Sequence, residues 1–162
     1  ADKTYITDDH FEQALIDLGY DDQLDDYVST QVVSRIEELD VSNRNIQDLS
    51  GLEDFLSLQM LNCNQNNIKN LNLAGNPFLN KLNLQDNELT DLDLSDLGNI
   101  IFLDIRNNPL TCVQVNEEQL EQIENPESDT YVLIRNKLNI SLHLFALLLW
   151  LEPNIFFKLR NR

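Results

Sequence analysis

The segment Leu58–Phe78, LQMLNCNQNNIKNLNLAGNPF, has near copies on both sides of it. Residues 36–57 read IEELDVSNRNIQDLSGLEDFLS, residues 79–99 read LNKLNLQDNELTDLDLSDLGN, and residues 100–120 read IIFLDIRNNPLTCVQVNEEQL. The shared pattern is LxxLxLxxNxL, with a period of 22 residues once and 21 thereafter. Self-similarity at this spacing identifies a solenoid in which each unit supplies one short strand, because no single unit can bury its own apolar face.

The alternation inside each unit sets which side chains point inward. Leu39 and Val41, Leu61 and Cys63, Leu82 and Leu84, and Leu103 and Ile105 alternate with polar residues. In a pleated strand this places each pair in the core. Ile46, Ile68, Leu89 and Leu110 follow at the first corner, and Leu49, Leu71, Leu92 and Val113 on the return. The expected fold is an α/β leucine-rich-repeat solenoid with a parallel sheet on the concave face and a helical cap at the N-terminus.

A chain that turns this sharply strands backbone N–H and C=O groups in the interior, at a cost of about 1–3 kcal/mol for each one left unpaired. Asn66, Asn87 and Asn108 recur where a carboxamide, both donor and acceptor, bridges successive turns. The first unit carries Arg44 there instead. A terminal unit tolerates it, since the stem covers apolar surface while the guanidinium reaches solvent or the acidic segment before it.

Residues 1–35 read as an acidic cap for the exposed first layer. TDDHFEQALIDLG, residues 7–19, has a capping-box spacing from Asp9 to Glu12, places Phe11, Ala14, Leu15 and Leu18 on one helix face, and stops at Gly19. Beyond the four repeats, residues 121–162 form an atypical C-terminal cap or an apolar and basic tail.

The opening YITDDHFEQALIDLGYDDQLDDYV, the LDVSNRNIQDLSGLEDF that follows, and the closing NNPLTCVQVNEEQLEQI resemble secreted leucine-rich-repeat proteins of flavobacteria and related bacteria, over roughly residues 4–130. The 22-residue first unit also resembles the repeats of internalin-like adhesins and of some intracellular phosphatase regulators. These resemblances imply the fold, a surface location and protein binding on the concave sheet. The secreted family would close with a second cysteine able to pair with Cys112, which this chain lacks. Cys63 sits on another face two repeats away, which reads as a core residue, and Cys112 as a free thiol.

Charge narrows the partners. The chain has 28 acidic and 11 basic residues and a net charge of -17. Nucleic acid is excluded as an expectation, because phosphate binding needs clustered Lys and Arg. Only five of the basic residues lie in 131–162, yet that stretch holds a single acidic one, so the chain changes character near Thr130. The tail LNISLHLFALLLWLEPNIFFKLRNR is shorter in its apolar run than the roughly 20 residues that span a bilayer. It reads as a fold-back cap over Ile101 and Phe102, as a membrane-contacting flank, or as a non-native ending. Opening on Ala1 is consistent with signal-peptide removal or with trimming.

Outward strand positions nominate the binding surface: Asp40, Ser42, Asn62, Asn64, Asn83, Gln85, Asp104 and Arg106, flanked by Glu38, Met60, Lys81 and Phe102. Amide-rich rows suit a protein or a glycan. Met60, Phe102 and Arg106 are expected to carry the binding energy, and replacing Phe102 and Arg106 together is expected to weaken binding without lowering the melting temperature. Asp17, Asp21, Asp22, Asp25 and Asp26 crowd one loop as weak calcium candidates, but a frame begun at Asp21 lacks the glycine and glutamate of an EF-hand. No cofactor is expected. His10 and His143 are the only histidines, no nucleophile–base pair is suggested, and the chain reads as a non-enzymatic recognition module outside the cell or at its surface. An intracellular interaction scaffold and a membrane-attached structural protein are the alternatives.

Overall fold

A computed structural model describes residues 2–119, 131–133 and 156–159. The elements run β1 (Lys3–Tyr5), α1 (Asp9–Asp17), β2 (Tyr27–Ser29), α2 (Thr30–Val33), β3 (Glu38–Asp40), a 3-10 turn (Leu52–Asp54), β4 (Met60–Asn62), β5 (Lys81–Asn83), β6 (Asp91–Asp93), β7 (Phe102–Asp104), β8 (Cys112–Val115), β9 (Tyr131–Leu133) and β10 (Phe156–Leu159). The repeats stack as a leucine-rich-repeat solenoid of parallel strands, as their pattern requires. Strands β3, β4, β5, β7 and β9 form one five-stranded parallel sheet. Its register places Leu39, Leu61, Leu82 and Leu103 side by side, each fully buried.

A second parallel sheet, ordered β10, β8, β6, lies on the return half of the repeats. The LxxLxLxxN pattern does not announce it, although the spacing contains its cause. After the return leucine, the first repeat reads Leu49-Ser-Gly-Leu52, and the later ones read Leu71-Asn-Leu73, Leu92-Asp-Leu94 and Val113-Gln-Val115. Two intervening residues suit a turn, and Leu52–Asp54 is a 3-10 turn. One intervening residue is strand alternation, and β6 and β8 form with Leu92, Leu94, Val113 and Val115 buried. The second repeat, although it too has one intervening residue, forms no strand at Leu71–Leu73, so the second sheet begins only at the third repeat. Leu71 is only partly buried.

The asparagine positions behave as their chemistry demands. Asn66 Nδ2 donates to the carbonyls of Val41 and Cys63, both at 2.9 Å, and its Oδ1 accepts from the amides of Arg44 and Ile46, both at 3.0 Å. Asn87 donates to Cys63 and Leu84 and accepts from Ile68. Asn108 donates to Leu84 and Ile105 and accepts from Leu89. Each amide thus joins its own turn to the one before. The residues just ahead of Arg44 and of the three asparagines, namely Asn43, Gln65, Asp86 and Asn107, are left-handed, with φ of 55–58°.

A second set of buried amides holds the opposite corner. Asn76 Nδ2 donates to the carbonyls of Leu52 at 2.8 Å and Phe55 at 3.2 Å. Gln119 Nε2 donates to Leu94 at 2.7 Å and Leu97 at 2.8 Å. Both side chains are buried, and both satisfy the back turn of the preceding repeat.

The cap differs from the expected capping box. The N-cap is Asp8, whose Oδ1 accepts from the amides of His10 and Phe11. Its other oxygen accepts from Gln47 and Asp48 at 2.7 and 3.1 Å, so one carboxylate caps α1 and pins it to the first repeat. Glu12 is fully buried and serves the following loop, accepting from the amides of Asp25 and Tyr27. The helix ends with Gly19 at φ 80°, with Gly19 and Tyr20 amides returning to Ile16 and Leu15. Phe11, Ala14 and Leu15 are buried, whereas Leu18, placed on the same face by its spacing, is 40% exposed because the helix has ended beneath it. Arg44 pairs with Asp17 of this cap, holding the Asp17 carboxyl below its ordinary range.

The apolar and basic tail beyond residue 119 lies outside the described residues, apart from the backbone of β9 and β10. These extend the first sheet beside β7 and the second beside β8.

Candidate functional site

Three in-register rows of side chains cross the first sheet. Glu38, Met60, Lys81 and Phe102 make one row, and Asp40, Asn62, Asn83 and Asp104 the next. Ser42, Asn64, Gln85 and Arg106 continue the step beyond the strand ends, where the amides of Asn43 and Gln65 still donate to the carbonyls of Asn64 and Gln85. Every partner-binding position nominated from the pattern falls in these rows. Parallel strands set neighbours about 4.8 Å apart, so the rows are presented on a rigid frame.

The middle row is held by its own hydrogen bonds. Asn62 Nδ2 donates to Asp40 Oδ2 at 3.0 Å, and the Ser42 amide donates to Asp40 Oδ1 at 3.0 Å. For Asp40, partial burial pushes the carboxyl up, but the bonds from Ser42 and Asn62 outweigh it, and the group lies below its ordinary range. Asp40 and Glu38 are exposed, and no ion pair involves either among the described residues.

Asp104 departs from the pattern, which turns it toward solvent. It is only 2% exposed, because Arg106 folds over it. The Arg106 guanidinium donates from Nε to Asp104 Oδ1 at 2.9 Å and from a terminal nitrogen to Oδ2 at 2.6 Å, and it also reaches Gln85 at 3.2 Å. The bond to Asp104 raises the Arg106 pKa further. Spacing by two places Asp104 and Arg106 on one face, which makes this pairing possible, but alternation alone does not say which residue lies over the other. The consequence is practical. Removing Arg106 takes its guanidinium bonds from Asp104, so the Phe102 and Arg106 replacement, which the sequence suggests would spare the melting temperature, is expected to lower it.

Met60 and Phe102 are half-buried and Lys81 is exposed, leaving apolar and cationic surface in the outer row. Along the approach to the strands, Phe78 is 63% exposed and Ile101 41%. The repeat pattern marks neither Phe78 nor the exposed Tyr5 and Tyr27 pair on the cap, whose ring centroids lie 5.3 Å apart. Their signal is only an apolar residue where the pattern asks for none.

The acidic loop is divided among other tasks. Asp17 takes Arg44, and Asp25 takes Lys3 at 3.3 Å. Among the described residues no three acidic, histidine or cysteine side chains converge as metal ligands, so Asp21, Asp22, Asp25 and Asp26 do not gather around one point. Cys63 and Cys112 are both free thiols. Burial, with the Asp40 charge, pushes the Cys63 thiol up to about 12, which makes it a core group rather than a nucleophile. His10 lies in α1 beside Asp8, its Nδ1 3.6 Å from the carboxylate, and His143 lies outside the described residues.

Among solved structures, the chain is similar to the functional domain of InlJ from Listeria monocytogenes, a domain described as including a cysteine ladder. The identity is 30% and the TM-score 0.61, over 68% of this chain and 25% of that one. The chain therefore spans about a quarter of the length of the InlJ structure. It also matches an internalin C2 from Listeria monocytogenes strain 4b F2365, at 17% identity and a TM-score of 0.43, over 99% of this chain and 98% of the other. No protein-family model and no curated protein matches it. The internalin-like resemblance of the repeats is thus borne out in the fold. The resemblance to secreted flavobacterial proteins finds no support in the InlJ match. This chain has two cysteines, Cys63 and Cys112, at different places in their repeats, and so no ladder of cysteines.

Proposed function

We propose that this chain is a non-enzymatic recognition module that holds a protein partner on the sheet formed by β3, β4, β5 and β7, outside the cell or at its surface. The observation that carries this reading is a mixed row and a polar row in strict register on one sheet, with a third row continuing beyond the strand ends. A surface already ordered before contact loses little side-chain entropy on binding. The amides of Asn62, Asn64, Asn83 and Gln85 supply donors and acceptors that also suit a glycan, which is the alternative ligand. Location rests on the resemblance to secreted and surface repeat proteins. Among the described residues no helix is long and apolar enough to cross a membrane. An intracellular scaffold is distinguished by cell fractionation, and a membrane-attached role by flotation of the full chain with lipid vesicles.

The test is a pair of substitutions that leave the buried ion pair intact. Lys81→Ala with Phe102→Ala is expected to reduce recovery of the partner by the full-length chain at least tenfold, with little change in melting temperature. Unchanged recovery contradicts the assignment of this face.

A further inference from the structure

The two carboxylates of the middle row, at the first and fourth repeats, are in opposite electrostatic states. Asp104 is buried under Arg106, and the pair is internally neutral. Asp40, three strands away in the same register, is exposed, and the exposed Glu37 and Glu38 stand beside it. Arg35 precedes them, and none of these three carboxylates has an ion pair among the described residues. Arg44 is committed to Asp17 and acts on Asp40 only through its more distant charge. Apolar surface is greatest at the fourth repeat, where the exposed Ile101 stands beside the half-buried Phe102, with the half-buried Met60 at the second. The face is therefore anionic at its first repeat and neutral and apolar at its fourth.

Resting on the recognition role proposed above, we infer that the partner is a protein segment that sets a Lys or Arg against Asp40 and Glu38 and an aromatic or large aliphatic side chain against Phe102. Three strand spacings of about 4.8 Å separate the two ends, or about 14 Å, which an extended chain covers in about four residues. A cation at the first repeat meets carboxylates without an ion pair and gains attraction without breaking an existing one. A cation at the fourth competes with Arg106. An acidic segment is repelled at the first repeat. Charge thus fixes the direction in which the segment lies across the sheet.

The test is selection of a displayed random-peptide library on the full-length chain, followed by titration of the enriched peptides as synthetic compounds. The expected result is a Lys or Arg about four residues from a large apolar residue. Glu38→Gln with Asp40→Asn is then expected to weaken binding at least tenfold, Glu38→Gln alone by several-fold, and higher salt to weaken wild-type binding more than that of the double variant. Peptides that Asn83→Arg displaces from the face, but that lack a basic residue and ignore the Glu38 and Asp40 changes, overturn the inferred polarity and leave the recognition face standing. Peptides indifferent to Asn83→Arg overturn the face itself. Failure to enrich any peptide overturns a protein segment as the partner.

Discussion

Asn87 Nδ2 donates 2.9 Å to the carbonyl of Cys63, a residue of the preceding repeat, while also closing its own turn on Leu84 at 3.1 Å. With its Oδ1 accepting from Ile68, one buried side chain satisfies three backbone groups. Each costs about 1–3 kcal/mol if left unpaired, though water relieves part of this. Asn87→Ala is therefore expected to lower unfolding stability by about 3 kcal/mol, measured by denaturant titration. A loss below about 1 kcal/mol contradicts the bridging role.

Arg106→Ala is expected to destabilise by about 1 kcal/mol, because Asp104 loses two charge-assisted bonds from the guanidinium while the carboxylate it covered is opened to water. Arg106→Ala combined with Asp104→Asn is expected to recover part of the loss. If the single and double variants are equally destabilised in a thermal melt, the cost is not that of a carboxylate deprived of these bonds.

Gly51 joins the cap to the first repeat through close backbone approach. Its φ is 99°, and an added Cβ would stand 2.5 Å from Ile6 Cδ1 and 2.7 Å from the Tyr5 carbonyl oxygen. Gly51→Ala is expected to push β1 off the repeat, visible as faster hydrogen exchange at residues 4–6 relative to residues 82–84. Equal exchange in the two proteins contradicts this docking.

Asp48 accepts from Thr7 Oγ1 at 2.7 Å and from the Ser50 amide at 2.9 Å. Partial burial pushes its carboxyl up, but the bonds from Thr7 and Ser50 outweigh that and hold it below the ordinary carboxylate range. The unfolded chain then takes up the proton first, so the stabilisation is present above the unfolded value and is lost as pH falls through the folded one. Asp48→Asn is expected to cost about 1 kcal/mol near neutral pH, after allowance for solvent screening. The gap to wild type should close below about pH 4. A gap that stays constant to about pH 3 assigns the effect to shape rather than charge.

The repeat, its inward columns and the bridging asparagines were legible in the sequence because each recurs at a fixed period. What was not legible arises where the period breaks or where two side chains choose between partners. The second sheet uses the one-residue spacing after Leu92 and Val113, which the LxxLxLxxN core does not contain, but the same spacing after Leu71 forms no strand. Asn76 shares the register of Phe55 and Leu97, so an apolar column hides its polar task. Asp8 rather than Asp9 caps α1 because its second oxygen has backbone amides of the first repeat to hold, a tertiary contact that local spacing cannot reveal. On the candidate face, positions were readable and electrostatic state was not: Asp40 and Asp104 occupy equivalent places, and only the folding of Arg106 onto one of them separates the two.

Site-specific photocrosslinking tests the recognition role most directly. A photoreactive side chain placed at Asn83, in the middle row, is compared in the producing cells with one placed at Asp91, on the second sheet. The account predicts a discrete protein adduct from position 83 that is absent from position 91. Adducts from position 91 alone, or equal adducts from both, would contradict it.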